Sequence, residues 1–514
     1  MRRRSSPTVG IGPARFITKD GAAKGFPHKI RSQAASGGDD ASARPYSSAE
    51  ARLQLERRIG DGPASMNDLE RRLGDAVEAH GVPGASAAVL IGDAVHLAAT
   101  GLANRQTAAP ATPDTPFQIG SATKAMTASL VMQSVERGQI ELDAPVRHYL
   151  PEFRLAGPST AITVRHLLTH TSGIKGDFFI DLGDGPDALA RYVEALRDVP
   201  TLYEPGRFYS YCNAGYPVLG RICEVTGQGM WDDLLKSRLF DPLGMTRSAS
   251  RPADRAALGT AIGYDRAPDG TWKPGVLSSR STGPSGSTVA STAGDLLRFA
   301  RMHLDHGKGR DGTSVLSTKT VLEMRIPQVR VPGDSFAGSW GLGWMLMNWD
   351  GVAQYGHDGA TAGSLSLLRV FPARRIAIAL LCNAGDGANF MRSMAGALFQ
   401  DLVQVNFPKP PTPSERSFDL RQYAGRYERY FAAVEVEPEG NELICRAFNL
   451  TQSGEQTPRE PVQIFRLKPK TAEMFVEPAK AGGRPPLSAV FLEFDASGAP
   501  QFLFAGARAM KRVA

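Results

Sequence analysis

Cysteine is scarce in this chain, and long apolar runs are absent. The 514 residues include four widely spaced cysteines, Cys212, Cys223, Cys382 and Cys445. They form no C-x-x-C pair, so we expect reduced, packed thiols rather than a disulfide framework or a zinc site. The longest apolar run, Ile376 to Cys382, has the length of a strand and falls short of the ~18 consecutive apolar residues that a membrane span needs. The sequence therefore predicts no membrane span and no metal.

An excess of one charge sign is also missing from most of the chain. The net charge of +7 comes mainly from residues 1–65, which contain 12 basic and 6 acidic residues, and the remainder is nearly balanced. A nucleic-acid-binding protein needs a basic patch on a folded surface. We therefore expect no nucleic-acid partner.

Residues 1–65 show little pattern of any secondary structure. They are rich in Arg, Ser, Ala, Gly and Pro, and they lack the apolar core of a secretory signal. We interpret them as a disordered basic tail, or as the product of a start codon assigned upstream of Met66, and we expect a cytoplasmic protein. From Met66 the sequence has a helical pattern, with Leu69, Leu73 and Val77 spaced four residues apart.

The segment 66–405 is typical of a mixed α/β (α+β) domain. Ala85 to Ile91 and Ala94 to Gly101 form a hairpin pattern near its start, and Leu365 to Phe371 and Ile376 to Cys382 form another near its end. Helical patterns lie between them. We expect one antiparallel sheet, flanked by helices, in which the first and last strands meet.

Beyond a proline-rich linker at 406–416, the residues 417–514 alternate in short apolar runs. This pattern predicts a small all-β domain, a barrel or a sandwich. The predicted strands are Ala433 to Val436, Leu443 to Phe448, Val462 to Leu467, Met474 to Val476, Ala489 to Phe494 and Phe502 to Phe504.

The candidate chemistry begins at Ser121-Ala122-Thr123-Lys124. G-x-S-x-G, H-E-x-x-H and P-loop motifs are all absent. If a helix begins near Ser121, Lys124 lies on the same face and its amine can reach the serine hydroxyl. A lysine shielded from water has a depressed pKa and can act as a base toward serine.

Two later segments complete a pattern. Tyr211-Cys212-Asn213 gives Y-x-N, and His357-Asp358-Gly359 gives H-x-G at the start of a strand. The order S-x-x-K, Y-x-N, [K/H]-x-G resembles the penicillin-recognising serine hydrolases. That family comprises class C β-lactamases, D-Ala-D-Ala carboxypeptidases, D-aminopeptidases and related esterases.

The resemblance extends over about residues 68–404. Further matching segments are Phe117-Gln-Ile-Gly120, Leu142-Asp-Ala-Pro-Val146, Tyr149-Leu-Pro-Glu-Phe153, His166-Leu-Leu-Thr-His-Thr-Ser-Gly173 and Gly341-Leu-Gly-Trp344. The resemblance implies the β-lactamase/transpeptidase-like fold. The trailing β domain resembles the lipocalin-like barrels appended to some members.

The same resemblance implies roles for five residues. Ser121 would be the nucleophile, and Lys124 or Tyr211 would be the base, with no choice between them from sequence. Asn213 would hold Lys124 and the substrate carbonyl. The backbone N–H groups of Ser121 and Ala360 would form the oxyanion hole. No cofactor is implied.

The third motif departs from the family pattern. His357 is also a catalytic candidate, on the strand edge that lines the cleft. It stands where β-lactamases commonly have lysine, and a neutral histidine attracts a substrate carboxylate less strongly. Asp358 would attract an ammonium group if it faced the cleft, and would otherwise be a strand-edge carboxylate. We retain Asp358, Gly359 and Trp344 as weaker substrate-binding candidates. His166 and His170 have helical spacing but are expected to be structural.

Four functions are compatible with this pattern. The first is a serine hydrolase with an acyl-Ser121 intermediate that cleaves amide bonds of small peptides, as an aminopeptidase, carboxypeptidase or amidase, with D-residues among the candidates. The second is a carboxylesterase or acyltransferase, the third a β-lactamase, and the last a non-catalytic binding protein. The expected partner is a small molecule or short peptide. The oligomeric state stays open, with a homodimer as one alternative.

Overall fold

The structure of the chain is a computed structural model. The structure describes residues 68–156, 161–275, 279–333, 337–451, 456, 460–478 and 486–513. The predicted basic tail at 1–65 lies outside these residues.

The chain alternates between helices and strands up to residue 403. The α-helices of the described residues are α1 (Leu69–His80), α2 (Thr123–Glu136), α3 (Val146–Tyr149), α4 (Val164–Leu168), α5 (Ala188–Ala195), α6 (Gly215–Gly227), α7 (Trp231–Leu235), α8 (Asp241–Leu243), α9 (Pro252–Ala257), α10 (Ala293–Leu304), α11 (Thr318–Glu323) and α12 (Ala388–Val403). Short 3₁₀ turns lie at Gly120–Ala122, Leu196–Asp198, Arg280–Ser285, Pro372–Arg374 and Arg421–Tyr423, and a π-helical turn at Lys236–Phe240.

The strands fall into two groups along the sequence. Those before residue 403 are β1 (Gly84–Ile91), β2 (Ala94–Asn104), β3 (Ala109–Pro110), β4 (Phe117–Gln118), β5 (Tyr264–Arg266), β6 (Trp272–Pro274), β7 (Ala290–Ser291), β8 (Val329–Arg330), β9 (Ser339–Trp340), β10 (Met345–Trp349), β11 (Val352–Thr361), β12 (Ser364–Phe371) and β13 (Ile376–Cys382). Those after it are β14 (Gly425–Arg429), β15 (Ala432–Glu439), β16 (Glu442–Asn449), β17 (Gln463–Pro469), β18 (Met474–Val476), β19 (Ser488–Phe494), β20 (Pro500–Ala505) and β21 (Arg508–Arg512).

The large sheet, built from strands before residue 403, is antiparallel and has the order β3-β2-β1-β13-β12-β11-β10-β9-β8. Its first and last long strands are neighbours, with Ala85 opposite Cys382 and Ile91 opposite Ile376. The sequence-based expectation that the ends of this domain meet in one sheet is confirmed. The strands β1 and β13 are almost wholly buried, because α1 and α12 cover one face of the sheet and α10 covers the other.

The helix predicted from the spacing of Leu69 and Leu73 is α1. Both leucines are buried under the sheet, and the helix ends at Gly81, whose φ of 60° is the left-handed conformation that glycine adopts without steric cost. The predicted hairpin after it is formed by β1 and β2, which pair from Ile91 and Ala94 at the turn.

The eight strands β14 to β21 form a closed barrel. The prediction of an all-β C-terminal unit is therefore confirmed, and its six predicted strands correspond to β15 to β20. The two strands that the sequence did not indicate, β14 and β21, pair with each other and close the barrel, with Tyr427 opposite Arg512. The described residues 404–420, which include the predicted linker, form neither helix nor strand.

The barrel packs directly on the domain that contains the large sheet. Phe502 makes an edge contact with Tyr203 at 6.3 Å between ring centroids, and Phe504 lies 6.3 Å from Tyr209. The backbone N–H of Tyr211 donates to the carbonyl of Ala507 at 2.9 Å. These contacts place the start of β21 beside the Y-x-N segment.

The cysteines are buried free thiols, as expected. Burial raises the pKa of Cys212, within the Y-x-N segment, to about 11, so it is a protonated packed thiol. In the part of the chain that the structure describes, no helix has the length and apolarity to cross a membrane.

Candidate active site

The serine and lysine of the S-x-x-K segment meet where α2 begins. The 3₁₀ turn Gly120–Ala122 continues directly into α2, so Ser121 and Lys124 share a face. The amine Nζ of Lys124 lies 3.0 Å from Oγ of Ser121. Lys124 is fully buried, whereas Ser121 keeps part of its surface exposed. The hydroxyl is therefore accessible from outside and backed by an amine that water does not reach.

The Y-x-N segment supplies the next groups around Lys124. The amide oxygen Oδ1 of Asn213 lies 2.7 Å from Nζ of Lys124, and the ring centroid of Tyr211 lies 5.0 Å from it. Both residues sit just before α6, and both are at least nine-tenths buried. The structure therefore brings Ser121, Lys124, Tyr211 and Asn213 into one cluster, as the sequence led us to expect.

A third hydrogen-bond partner of Lys124 was missed at the level of sequence. The backbone carbonyl of Ser285, at the end of the 3₁₀ turn Arg280–Ser285, accepts from Nζ. Because this contact uses the main chain, the type of side chain at position 285 carries no signal for it. The amine thus has two acceptors that cannot donate, Asn213 Oδ1 and Ser285 O, and one hydroxyl that can do either.

Glycines let the backbone close around the serine. A Cβ on Gly359 of β11 would lie 1.9 Å from the carbonyl oxygen of Ile119, and one on Gly120, whose φ is +53°, would lie 2.5 Å from the amide nitrogen of Ala360. The strand β11 therefore lies against the turn that precedes Ser121. The amide of Ala360, an exposed residue, consequently lies next to the turn that carries the amide of Ser121.

Burial sets the charge state of the two candidate bases. Desolvation lowers the pKa of Lys124 well below its ordinary value, and the nearby Arg508 guanidinium lowers it further, while Asp177 acts in the opposite direction. Desolvation raises the pKa of Tyr211, although a hydrogen bond with Ser121 counteracts part of that rise. These shifts favour the neutral form of the amine and the neutral form of the phenol.

His357 lies in the same layer as Tyr211 but carries no charge. Its ring is buried, 6.3 Å from the Tyr211 ring and 5.4 Å from the Trp340 ring. Burial, with a further contribution from Lys124, lowers its pKa to about 3. A neutral imidazole at this position cannot provide the electrostatic attraction that a lysine gives to a substrate carboxylate.

Two of the weaker substrate-binding candidates are engaged elsewhere. The carboxylate of Asp358 forms a bidentate ion pair with Arg369 at 2.6 and 2.9 Å, and alternation along β11 directs it to the sheet face opposite His357. Trp344 has no exposed surface and stacks on Phe299 at 5.7 Å. Trp344 is therefore a core residue, and Asp358 is a strand-edge carboxylate rather than an ammonium site.

The two histidines of the 166–173 segment have structural contacts. His166 completes a capping box at α4, in which Thr163 accepts from the backbone N–H of His166 and its own N–H donates to the imidazole. His170 Nδ1 accepts from the N–H of Cys212 at 3.0 Å, and its ring lies 4.2 Å from that of Tyr211. His170 therefore packs behind the tyrosine. Among the described residues no three His, Cys, Asp or Glu side chains are grouped to hold a metal.

A buried acidic residue, Asp177, connects the cluster to the barrel, and the sequence did not indicate it. Its Oδ1 accepts from Asn213 Nδ2 at 2.6 Å. Its Oδ2 accepts from Arg429 of β14 at 2.8 Å and lies 3.0 Å from Nε of Arg508 of β21. The two arginines are separated from Asp177 by 252 and 331 residues, so only the tertiary fold reveals the connection.

Arg280 stabilises the turn that presents the Ser285 carbonyl. Its buried guanidinium pairs with Glu224 of α6 and Asp232 of α7. Replacing Arg280 by methionine leaves the buried Asp232 without its cation and leaves Glu224 with Arg221 alone, so we expect the free energy of unfolding to fall by ~3–5 kcal/mol in urea denaturation. The control is Arg298→Met, which removes a half-exposed partner of Asp295 and should change it by less than ~1 kcal/mol. Equal effects of the two substitutions would contradict this prediction.

Comparison with known proteins assigns a family to this geometry. The family model described as Beta-lactamase matches residues 68–402. Penicillin-binding protein 4 of Amycolatopsis lactamdurans is 43% identical over 364 residues, which cover 68% of this chain and 94% of that protein. Esterase EstB of Burkholderia gladioli is 37% identical over 171 residues, which cover 30% of this chain and 43% of the esterase.

Two solved structures with the same fold cover 66% and 88% of the chain. The crystal structure of SurE with D-Leu has a TM-score of 0.71 at 29% identity, and covers 88% of this chain and 100% of SurE. The D-amino acid amidase of Ochrobactrum anthropi SV3, complexed with L-phenylalanine amide, has a TM-score of 0.54 at 26% identity, and covers 66% of this chain and 97% of the amidase.

Proposed function

The chain belongs to the serine beta-lactamase and penicillin-binding-protein family, and from this premise we propose that it cleaves amide bonds of small peptides through an acyl-Ser121 intermediate, with D-residues at the scissile bond. One observation carries the proposal. The fully buried Lys124 amine lies 3.0 Å from the partly exposed Ser121 hydroxyl. A nucleophile beside a base that is shielded from water is the arrangement that acyl transfer requires.

Lys124 is the base in this proposal, and Tyr211 is the proton carrier. A neutral amine has two hydrogens and one lone pair. Asn213 Oδ1 and the carbonyl of Ser285 accept the two hydrogens, so the lone pair is directed toward the hydroxyl of Ser121. Because burial raises the pKa of Tyr211, its phenol keeps its proton and can donate it to a leaving group.

The reaction then proceeds in two halves. Lys124 takes the proton of Ser121 as Oγ attacks the substrate carbonyl, and the N–H groups of Ser121 and Ala360 hold the oxyanion. Tyr211 donates its proton to the leaving amine and regains one from Lys124. In the second half, water attacks the acyl-Ser121 ester with the same groups acting in reverse, which regenerates the serine and releases the acid.

The preference for D-residues rests on the structural relatives. The SurE complex contains D-Leu, and the amidase is named for D-amino acids. His357 is neutral, so it cannot attract the carboxylate of a β-lactam as a cation would. This supports a substrate whose binding needs no such ion pair.

An esterase or acyltransferase on the same residues is the second candidate. The 37% identity to Esterase EstB favours it, and an ester needs less activation than an amide. β-Lactam hydrolysis ranks third because the cationic residue of the third motif is replaced by His357. A non-catalytic binding role ranks last because every position of the nucleophile, base and oxyanion donors is occupied.

The test is release of p-nitroaniline from D- and L-aminoacyl and short peptidyl anilides. We expect faster release from the D-series, and we expect Ser121→Ala to abolish it, because the nucleophile of a catalytic unit contributes up to ~10⁶ in rate. The measurement is kcat/KM for each anilide, compared with p-nitrophenyl esters of the same acyl groups.

Three outcomes separate the candidates. Hydrolysis of esters but of no anilide would replace the amidase by an esterase or acyltransferase. Faster release from the L-series would remove the D-residue assignment. Full activity in Ser121→Ala would remove the site assignment altogether.

A further inference from the structure

The barrel places two arginines beside the catalytic cluster. Arg429 ends β14 and Arg508 begins β21, the two neighbouring strands that close the barrel. Their side chains are 1% and 8% exposed, and both pair with Asp177 of the catalytic domain. Two cations and one carboxylate are thus buried together at the contact between the domains.

Asp177 uses three of its acceptor positions in hydrogen bonds, and a fourth group, Nε of Arg508, lies in ionic contact with it. Oδ1 accepts from Asn213 Nδ2 at 2.6 Å and from Arg508 Nη2 at 3.2 Å, and Oδ2 lies 2.8 Å from Arg429 Nη1 and 3.0 Å from Arg508 Nε. A carboxylate offers about four such positions and cannot donate. Because Asp177 can only accept a hydrogen bond, it binds the NH₂ group of the Asn213 side chain. The carbonyl group of that side chain then faces Lys124.

We propose that Arg429 and Arg508 are positioning residues for the activation of Ser121, because they keep Asp177 an acceptor and thereby hold the carbonyl of Asn213 toward Lys124. The barrel is then part of the catalytic apparatus. This inference rests on the proposed function, specifically on Lys124 as the base that activates Ser121.

The consequence of losing the arginines follows from the amide geometry. A buried carboxylate without cations takes up a proton, since desolvation disfavours its charge. Its new O–H would donate to Asn213 Oδ1 and turn the NH₂ group toward Lys124. The lone pair of the amine would then accept from that NH₂, and Ser121 would lose its base.

The charges of Arg508 and Asp177 shift the pKa of Lys124 in opposite directions. Burial is the main cause of its low pKa; Arg508 lowers the pKa further, and Asp177 raises it. Arg429 acts on Lys124 through its pairing with Asp177. The titratable and charged groups that face Lys124 are Asp177, His170, Tyr211, Cys212, Tyr216, His357 and Arg508.

The experiment measures how fast a fluorophosphonate labels Ser121, as a function of pH, in the full-length chain. In this reaction the Ser121 Oγ–P bond forms, the P–F bond breaks, fluoride leaves, and Lys124 takes the serine proton. The rate depends on the activation of Ser121 and does not require Tyr211 to protonate a leaving group.

We expect opposite shifts for two single substitutions. Arg508→Gln should move the acid limb of the pH profile to higher pH by roughly one unit, and Asp177→Asn should move it to lower pH. Asp177→Asn should also slow labelling at the plateau, by up to ~10²-fold, because the Asn213 amide loses a partner that can only accept. Arg508→Gln, in which Arg429 still pairs with Asp177, should slow it less. Arg508→Lys, which keeps the charge, should retain the position of the wild-type acid limb.

The matched control is Arg446→Gln, which removes a barrel arginine paired with Glu437 at the surface. It should leave both the rate and the profile unchanged. Circular dichroism and thermal unfolding identify any variant that fails to fold. If Arg508→Gln does not fold, the inference is tested by the shift of the acid limb to lower pH in Asp177→Asn and by the wild-type acid limb of Arg508→Lys.

Two results would overturn the inference. Profiles of Arg508→Gln and Asp177→Asn that coincide with the wild type, or that shift in the same direction, would show that Asp177 and Arg508 support the fold alone. Failure of the wild-type chain to be labelled at Ser121 would instead refute the proposed function, and this inference with it.

Discussion

Lys124→Met is expected to lower the rate of acylation by roughly 10²- to 10⁴-fold, the range that a positioned general base contributes. Methionine has a similar length and no lone pair of comparable basicity, so the cavity stays filled while Ser121 loses its proton acceptor. Since the amine is neutral only above its depressed pKa, the wild-type rate should fall as the pH falls through that pKa, and the residual rate of the variant should lack this limb.

The measurement is the pre-steady-state burst of p-nitrophenol from an activated ester. Lys319→Met is the control, because Lys319 is exposed on α11, where no catalytic group lies. A variant at Lys124 that retains the wild-type burst rate and pH dependence would show that the base is another group, and Tyr211 would be the next candidate.

Gly359→Ala is expected to disrupt the site through a single methyl group. Its Cβ would lie 1.9 Å from the carbonyl oxygen of Ile119 and 2.4 Å from Oγ of Ser366, and the hydroxyl of Ser366 donates to that same carbonyl. The strand must move away from the turn that carries Ser121. We expect a loss of ~1–3 kcal/mol in the free energy of unfolding and a loss of ~10²-fold in acylation from the displaced geometry.

The control for this substitution is Gly74→Ala in α1. A Cβ there meets no atom within 4 Å, and alanine is favoured over glycine in a helix by up to ~1 kcal/mol. Urea unfolding should therefore show a lower free energy of unfolding for Gly359→Ala and a higher one for Gly74→Ala. Fluorophosphonate labelling should slow in Gly359→Ala alone. Wild-type labelling by Gly359→Ala would mean that the close approach of β11 does not shape the site.

The sequence predicted the parts of this fold that have local periodicity. The apolar runs Ala85 to Ile91 and Ile376 to Cys382 indicated strands near the two ends of the domain, and these strands are neighbours in one sheet, as expected. Spacing alone placed Lys124 within reach of Ser121, because three residues on a helix return to the same face.

The remaining parts depend on contacts that local patterns do not encode. The strands β14 and β21 carry arginines at buried positions, which hides the alternation that indicates a strand. The Ser285 carbonyl is a main-chain group, so the side chain at that position gives no signal. Nothing in the local sequence distinguishes Asp177, because its partners Arg429 and Arg508 lie far along the chain. Trp344 was a candidate for substrate contact because it belongs to a segment that matches the family, and only the packing of Phe299 of α10 shows that it is enclosed.

The hydrogen bond between the N–H of Tyr211 and the carbonyl of Ala507 also has a consequence for biosynthesis. A ribosome adds residues at ~5–20 per second, and domains generally fold as they emerge. The catalytic domain is complete some 100 residues before β21 exists, which corresponds to roughly 5 to 20 seconds of translation. Ser121 and Lys124 lie before residue 405, whereas the arginines on Asp177 come after it. From our inference on those arginines, we expect a nascent chain folded up to residue 405 to hold its nucleophile at reduced reactivity until β21 docks.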